Sequence, residues 1–171
     1  TLDVDPTSRV VDRYLASKGM IADAVPLFAP TDALPRAGVL LALPLLGASR
    51  ALGVFHRIYG GVGPAFYGLR TTVVCLFLLA LLRIKRPESL KEHSPAALGR
   101  LLGLDRAPEV KTLRRKLSEL AGRGKGMELM RDLGELRMKQ DEERVGFLLV
   151  DGHVKEYSGK HPLGKAHVTA K

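Results

Sequence analysis

Residues 94–122 read SPAALGRLLGLDRAPEVKTLRRKLSELAG. Ser94-Pro95 supplies a capping side chain and a proline for the first helical position. Leu98, Leu101 and Leu102 form an apolar stripe, and Gly103 is a natural stop after it. Asp105-Arg106-Ala107 makes a short connection. Pro108 then opens a second helix, with Glu109 suited to its positive N-terminus. Val110, Leu113, Leu117 and Leu120 share one face, while Lys111, Arg114, Arg115 and Lys116 occupy others. Two helices joined by a short Gly-containing turn, the second basic on its outside, predict a helix-turn-helix-like pair over about 95–121. The fold class expected from this stretch is mainly α.

Working outward, residues 122–126 (GRGKG) read as a flexible basic linker. A third helix is expected over about 127–143, with Met127, Met130, Leu133 and Leu136 turned inward and a solvated Asp141-Glu142-Glu143 end. Upstream, Thr71–Leu82 (TTVVCLFLLALL) is the most apolar run. It falls short of the roughly 20 residues a membrane span needs, so a buried core helix is expected. Gly38–Phe55 reads as a helix kinked or restarted at Pro44. Pro26, Pro30 and Pro35 mark a loop before it. A first helix is expected from Asp5-Pro6-Thr7 to Gly19, with Val10, Val11, Tyr14 and Leu15 at helical spacing. Gly60, Gly61, Gly63 and Pro64 read as a plain turn: they lack the Lys-Ser/Thr of a phosphate loop and do not match GxGxxG.

The 171 residues carry 27 Lys and Arg against 18 Asp and Glu, a net charge of +9. Most of the excess sits in residues 83–125, with twelve basic and five acidic residues. A localised basic excess favours a polyanionic partner, nucleic acid or an anionic membrane. Hydrophobic residues at 46% exclude a wholly disordered chain. The single cysteine, Cys75, excludes an intrachain disulfide framework and a cysteine-built zinc site, and a reducing compartment is the simpler setting. Aromatic residues at 5% and the lack of Trp speak against base-stacking platforms.

At Val145 the pattern changes. Residues 145–150 (VGFLLV) fit a strand buried on both faces, running directly into Asp151-Gly152-His153. Residues 144–171 therefore read as a β-hairpin start after a helical region over 1–143. A carboxylate at the end of a buried strand needs a metal or donors to offset its desolvation, and magnesium sites use such groups. A hairpin aspartate capping its own turn is the alternative. His153 shares a strand face with Asp151, and His161 and His167 follow. A transition-metal site from these is a further alternative, with ordinary surface histidines the simpler reading.

Two elements carry a family resemblance: GLDRAPEVKTLRRKL at 103–117 and VDGHVKEY at 150–157. With the apolar segments before them, they resemble bacterial DDE-type transposases. The resemblance implies an RNase H-like catalytic domain, here truncated to its first two strands. It implies three carboxylates holding two Mg2+ (or Mn2+) ions for phosphodiester displacement. Asp151 matches the first, as catalytic and metal-binding residue. No Asp follows it, and Glu156 is the one acidic residue after it. The chain then reads as an N-terminal fragment or a remnant, inactive and metal-free by itself. The implied partner is transposon-end DNA, met by Arg106, Lys111, Arg114, Arg115 and Lys116, in a cytoplasmic, nucleoid-associated setting. A homo-oligomer is an open alternative. The rival functions are a non-enzymatic helix-turn-helix DNA-binding protein and, third, a small membrane protein.

Overall fold

The computed structural model describes residues 8–62 and 65–140. Among them are seven α-helices and two 3-10 turns: α1 (Val10–Ser17), a 3-10 turn (Ala37–Ala42), α2 (Leu43–Ala48), α3 (Ala51–Tyr59), α4 (Leu69–Leu81), a second 3-10 turn (Pro87–Glu92), α5 (Pro95–Leu101), α6 (Val110–Gly122) and α7 (Gly126–Gln140). No strand occurs among the described residues. The expected strands and hairpin of 144–171, the 143/144 boundary, and Asp151, His153, His161 and His167 all lie outside them.

The apolar run at 71–82 becomes α4, and α4 organises the interior. It is apolar all round, as a helix buried on several sides must be. Cys75, Leu78 and Leu79 enter one cluster with Leu98, Leu101 and Leu113. Leu69 and Val73 enter a second with Val54, Ile58 and Leu120. Its N-terminus is capped from far away in sequence. The Asp23 carboxylate accepts from the backbone N–H groups of Gly68 and Thr71, both at 3.1 Å, and from the Thr71 hydroxyl. Gly68 is required there, because a Cβ would lie 2.1 Å from the Ala22 carbonyl oxygen.

Burial pushes the Cys75 thiol up to about 12 from an ordinary value near 9. A thiol reagent at pH 8 is therefore expected to label Cys75 only as the chain unfolds. The sign for stability follows: an unfolded chain gives up this proton from about pH 9 and the folded chain does not. Stability should be level below about pH 9 on this group's account and fall between about 9 and 12. Urea titrations across that range check it, and rapid labelling of the folded protein would contradict it.

Three helix ends follow one rule. α1, α5 and α6 each stop at a glycine with positive φ: Gly19 at 71°, Gly103 at 68° and Gly124 at 65°. After α5, Gly103 N–H donates to the Arg100 carbonyl and Leu104 N–H to that of Gly99, the paired bonds of a Schellman end. Ser94 caps the other end, accepting from Ala97 N–H at 3.3 Å. Pro44 lies in the first turn of α2 and restarts the chain there after the Ala37–Ala42 turn. A second break falls at Ser49-Arg50, with Arg50 at φ 55°.

Two expectations about apolar faces change. In α7 the residues turned to the core are Leu129, Leu133 and Leu136, packed against the Val54–Leu120 cluster. Met127 and Met130 are 83% and 67% exposed. Both stripes have helical spacing, and α3 receives the leucine stripe. In α1, Val10, Val11 and Tyr14 are exposed. That helix is held instead by arginines. Arg9, buried, donates to the Gly103 and Val25 carbonyls. Arg13 pairs with Asp105 at 2.6 Å and stacks 3.9 Å from the Phe66 ring centroid.

Candidate functional site

The α5–α6 corner is a close approach of backbones. A Cβ on Gly99 would lie 2.3 Å from Arg106 Cα, so only glycine lets α5 meet the returning chain. Ala107 N–H closes the corner on the Pro95 carbonyl at 2.8 Å. Asp105 accepts from the Arg106 N–H at 2.9 Å and from Arg13. Tyr67 donates its hydroxyl to the Arg106 carbonyl at 3.0 Å. Burial, before any charge effect, raises the Tyr67 hydroxyl above its ordinary pKa. The Arg106 side chain is left exposed at the tip. The neighbouring element packed most closely on α6 is the Pro87–Glu92 turn.

On α6, Leu113 and Leu120 are buried and fix the inward side. Lys111, Arg114 and Arg115 lie at i, i+3 and i+4, and all three are exposed. Arg114 is ion-paired with Glu88 of the Pro87–Glu92 turn. Lys116 differs from its neighbours. It is 4% exposed, and its ammonium donates to the Val62 carbonyl at 2.7 Å. Desolvation lowers its pKa from the ordinary lysine value. A helical turn explains the difference: position 116 lies three after Leu113 and four before Leu120, hence on the packed side.

The stretch 122–126 is a fastened corner rather than a free linker. Arg123 donates to the carbonyls of Tyr59 and Gly61, and Lys125 to that of Ile58 at 3.0 Å. With Lys116 on Val62, three cations satisfy four carbonyls at and just beyond the C-terminus of α3. That end carries a negative partial charge, so cations are well placed there. Three of the twelve basic residues in 83–125 thus have carbonyl acceptors within the chain, and of these Lys116 is buried. Sequence reading missed this role because its acceptors lie more than fifty residues away. Of the five basic residues expected to meet DNA, Arg106, Lys111, Arg114 and Arg115 are exposed and Lys116 is buried.

Among the described residues no group of three or more His, Cys, Asp or Glu is placed to hold a metal ion. No single helix there is long and apolar enough to cross a membrane. The pair Ala37–Ala48 and Ala51–Tyr59 has the length and composition only together, and it is bent by 65°.

Fold and surface define a helical protein with an exposed cationic helix face standing on a leucine core. A family model described as transposase protein matches residues 6–171, and the chain belongs to that family. No curated protein matches it, and no solved structure does.

Proposed function

We propose that the chain binds DNA through the outer face of α6, with α5 and α6 acting as a helix-turn-helix-like pair and transposon-end DNA as the ligand. The observation that carries the reading is the cationic triad Lys111, Arg114, Arg115 on one exposed helix face. Arg106, exposed at the α5–α6 corner, is a further candidate contact. Such side chains reach phosphates and base edges when a helix enters the major groove. Membership of the transposase family supports DNA as the polyanion. The test is titration of a labelled duplex over a range of salt concentrations. A steep fall of log K with log salt is expected. Absence of binding at low salt would remove the proposal.

Glu88 bears on the same face, because it neutralises Arg114. Glu88→Gln is expected to tighten duplex binding by about threefold, the scale of one exposed ion pair released. Equal or weaker affinity would show that Arg114 does not meet the ligand.

The catalytic part of the reading rests on the DDE resemblance and on Asp151. There the carboxylate would serve as the first ligand of Mg2+ or Mn2+. Asp151→Asn, in a chain that carries the remaining carboxylates of the set, is expected to abolish strand cleavage and leave end binding intact. Cleavage surviving that change would remove Asp151 from the catalytic role, and end binding without any cleavage before the change would leave the rival, a non-enzymatic helix-turn-helix protein.

A further inference from the structure

Arg83 stands where α1 and α5 use glycine. α4 ends as α1 and α5 do: Arg83 N–H donates to the Ala80 carbonyl and Ile84 N–H to that of Leu79. The residue at the left-handed position is Gly19 after α1 and Gly103 after α5, but Arg83, at φ 57°, after α4. Among the described residues, the non-glycine residues with positive φ are Arg36, Arg50 and Arg83. A side chain kept in that conformation is strained, and an observed strain invites a functional reason.

The surroundings of Arg83 supply one. Arg83, Lys85, Arg86, Ser89 and His93 line an open hollow of about 450 Å3. Glu92 is the one carboxylate among its lining residues. Arg36, the second strained arginine, closes on this hollow through a 2.8 Å hydrogen bond to His93 Nδ1. Among the described residues no carboxylate is ion-paired with Arg83, Lys85 or Arg86. They contrast with Lys116, Arg123 and Lys125, whose charges are taken up by carbonyls. The Pro87–Glu92 turn lines this hollow through Ser89 and Glu92 and also packs on α6. A polyanion lying across that turn can therefore engage both cationic surfaces, which a single phosphate cannot.

We propose that the hollow at 83–93, with Arg36 held beside it on His93, is a second contact for the phosphodiester backbone of nucleic acid, separate from the face of α6. The proposal rests on the DNA reading above. The test uses Arg83→Gly, which removes the charge and relieves the backbone. Thermal stability should hold or rise by about 2–4 °C. Affinity for a labelled duplex should fall about fivefold, with the salt slope shallower by about one. Arg83→Lys should recover most of the affinity. A weaker affinity at undiminished stability is the signature a structural role would not give. Unchanged affinity and slope in Arg83→Gly and in Arg83→Gly/Arg86→Ala would overturn the proposal. If the α6 variant Lys111→Ala/Arg115→Ala loses binding in the same assay, the α6 reading stands and this one alone fails. Failure of the unaltered chain to bind duplex would remove both. Anionic phosphatidylserine vesicles form the last arm. If Arg83→Gly loses vesicle binding and keeps DNA binding, the ligand is a lipid headgroup and the proposal is wrong.

Discussion

Gly99→Ala is expected to destabilise the fold by about 3 kcal/mol or more, the upper range for overpacking a closed site. The added methyl would sit 2.3 Å from Arg106 Cα and 2.5 Å from its N and C atoms. Backbone, not a flexible side-chain end, would have to move. The Gly99 carbonyl also accepts from Leu102 and Leu104 N–H, so α5 cannot shift without loosening its own C-terminal bonds. Urea unfolding followed by far-ultraviolet circular dichroism gives the midpoint. Gly134→Ala is the matched control. Gly134 lies inside α7, and a Cβ there meets nothing within 4 Å. Alanine at that position should stabilise by about 0.5–1 kcal/mol, its helix-propensity gain over glycine. Equal effects of the two changes would mean that the α5–α6 corner is not the close approach described.

The largest expected effect on binding belongs to Lys111→Ala/Arg115→Ala. Both side chains are exposed on the same side of α6. Neither forms an ion pair with a described carboxylate. Each phosphate that no longer meets a cation takes about 0.9 off the slope of log K against log salt, so the slope should be shallower by about two. At moderate salt the affinity should fall by at least about tenfold. Circular dichroism should be unchanged, since the leucines that dock α6 are untouched. Lys116→Met is the informative comparison. Its charge faces the Val62 carbonyl, so the salt slope should stay as it was. A slope reduced by Lys116→Met to the same extent as by the double variant would contradict that placement.

The local signals of the sequence were legible because each acts within a turn or two of backbone. Ser94-Pro95 began α5 and Gly103 ended it, and the glycine-rich stretch from Gly122 ended α6. The apolar run at 71–82 became the central helix α4, Leu69–Leu81. Leu113 and Leu120 were inward as their spacing required. The exposed triad at 111, 114 and 115 was legible for the same reason. Within α6 even the burial of Lys116 was written in its spacing from Leu113 and Leu120. Its charge drew attention away from its position.

Local sequence thus settled where helices form, where they stop and that the 83–125 stretch is basic. Packing settled which charges remain outside. Lys116 finds its acceptor 54 residues away, Arg123 and Lys125 find theirs 62 to 67 residues away, and Arg13 meets Asp105 across 92. Packing also settled that α7 docks by Leu129 and not Met127, and that α1 is held by arginines rather than by its valines. One cause is common to all of these. A helix forms from its own backbone bonds and caps, but which of its faces is covered depends on segments that arrive from elsewhere in the chain.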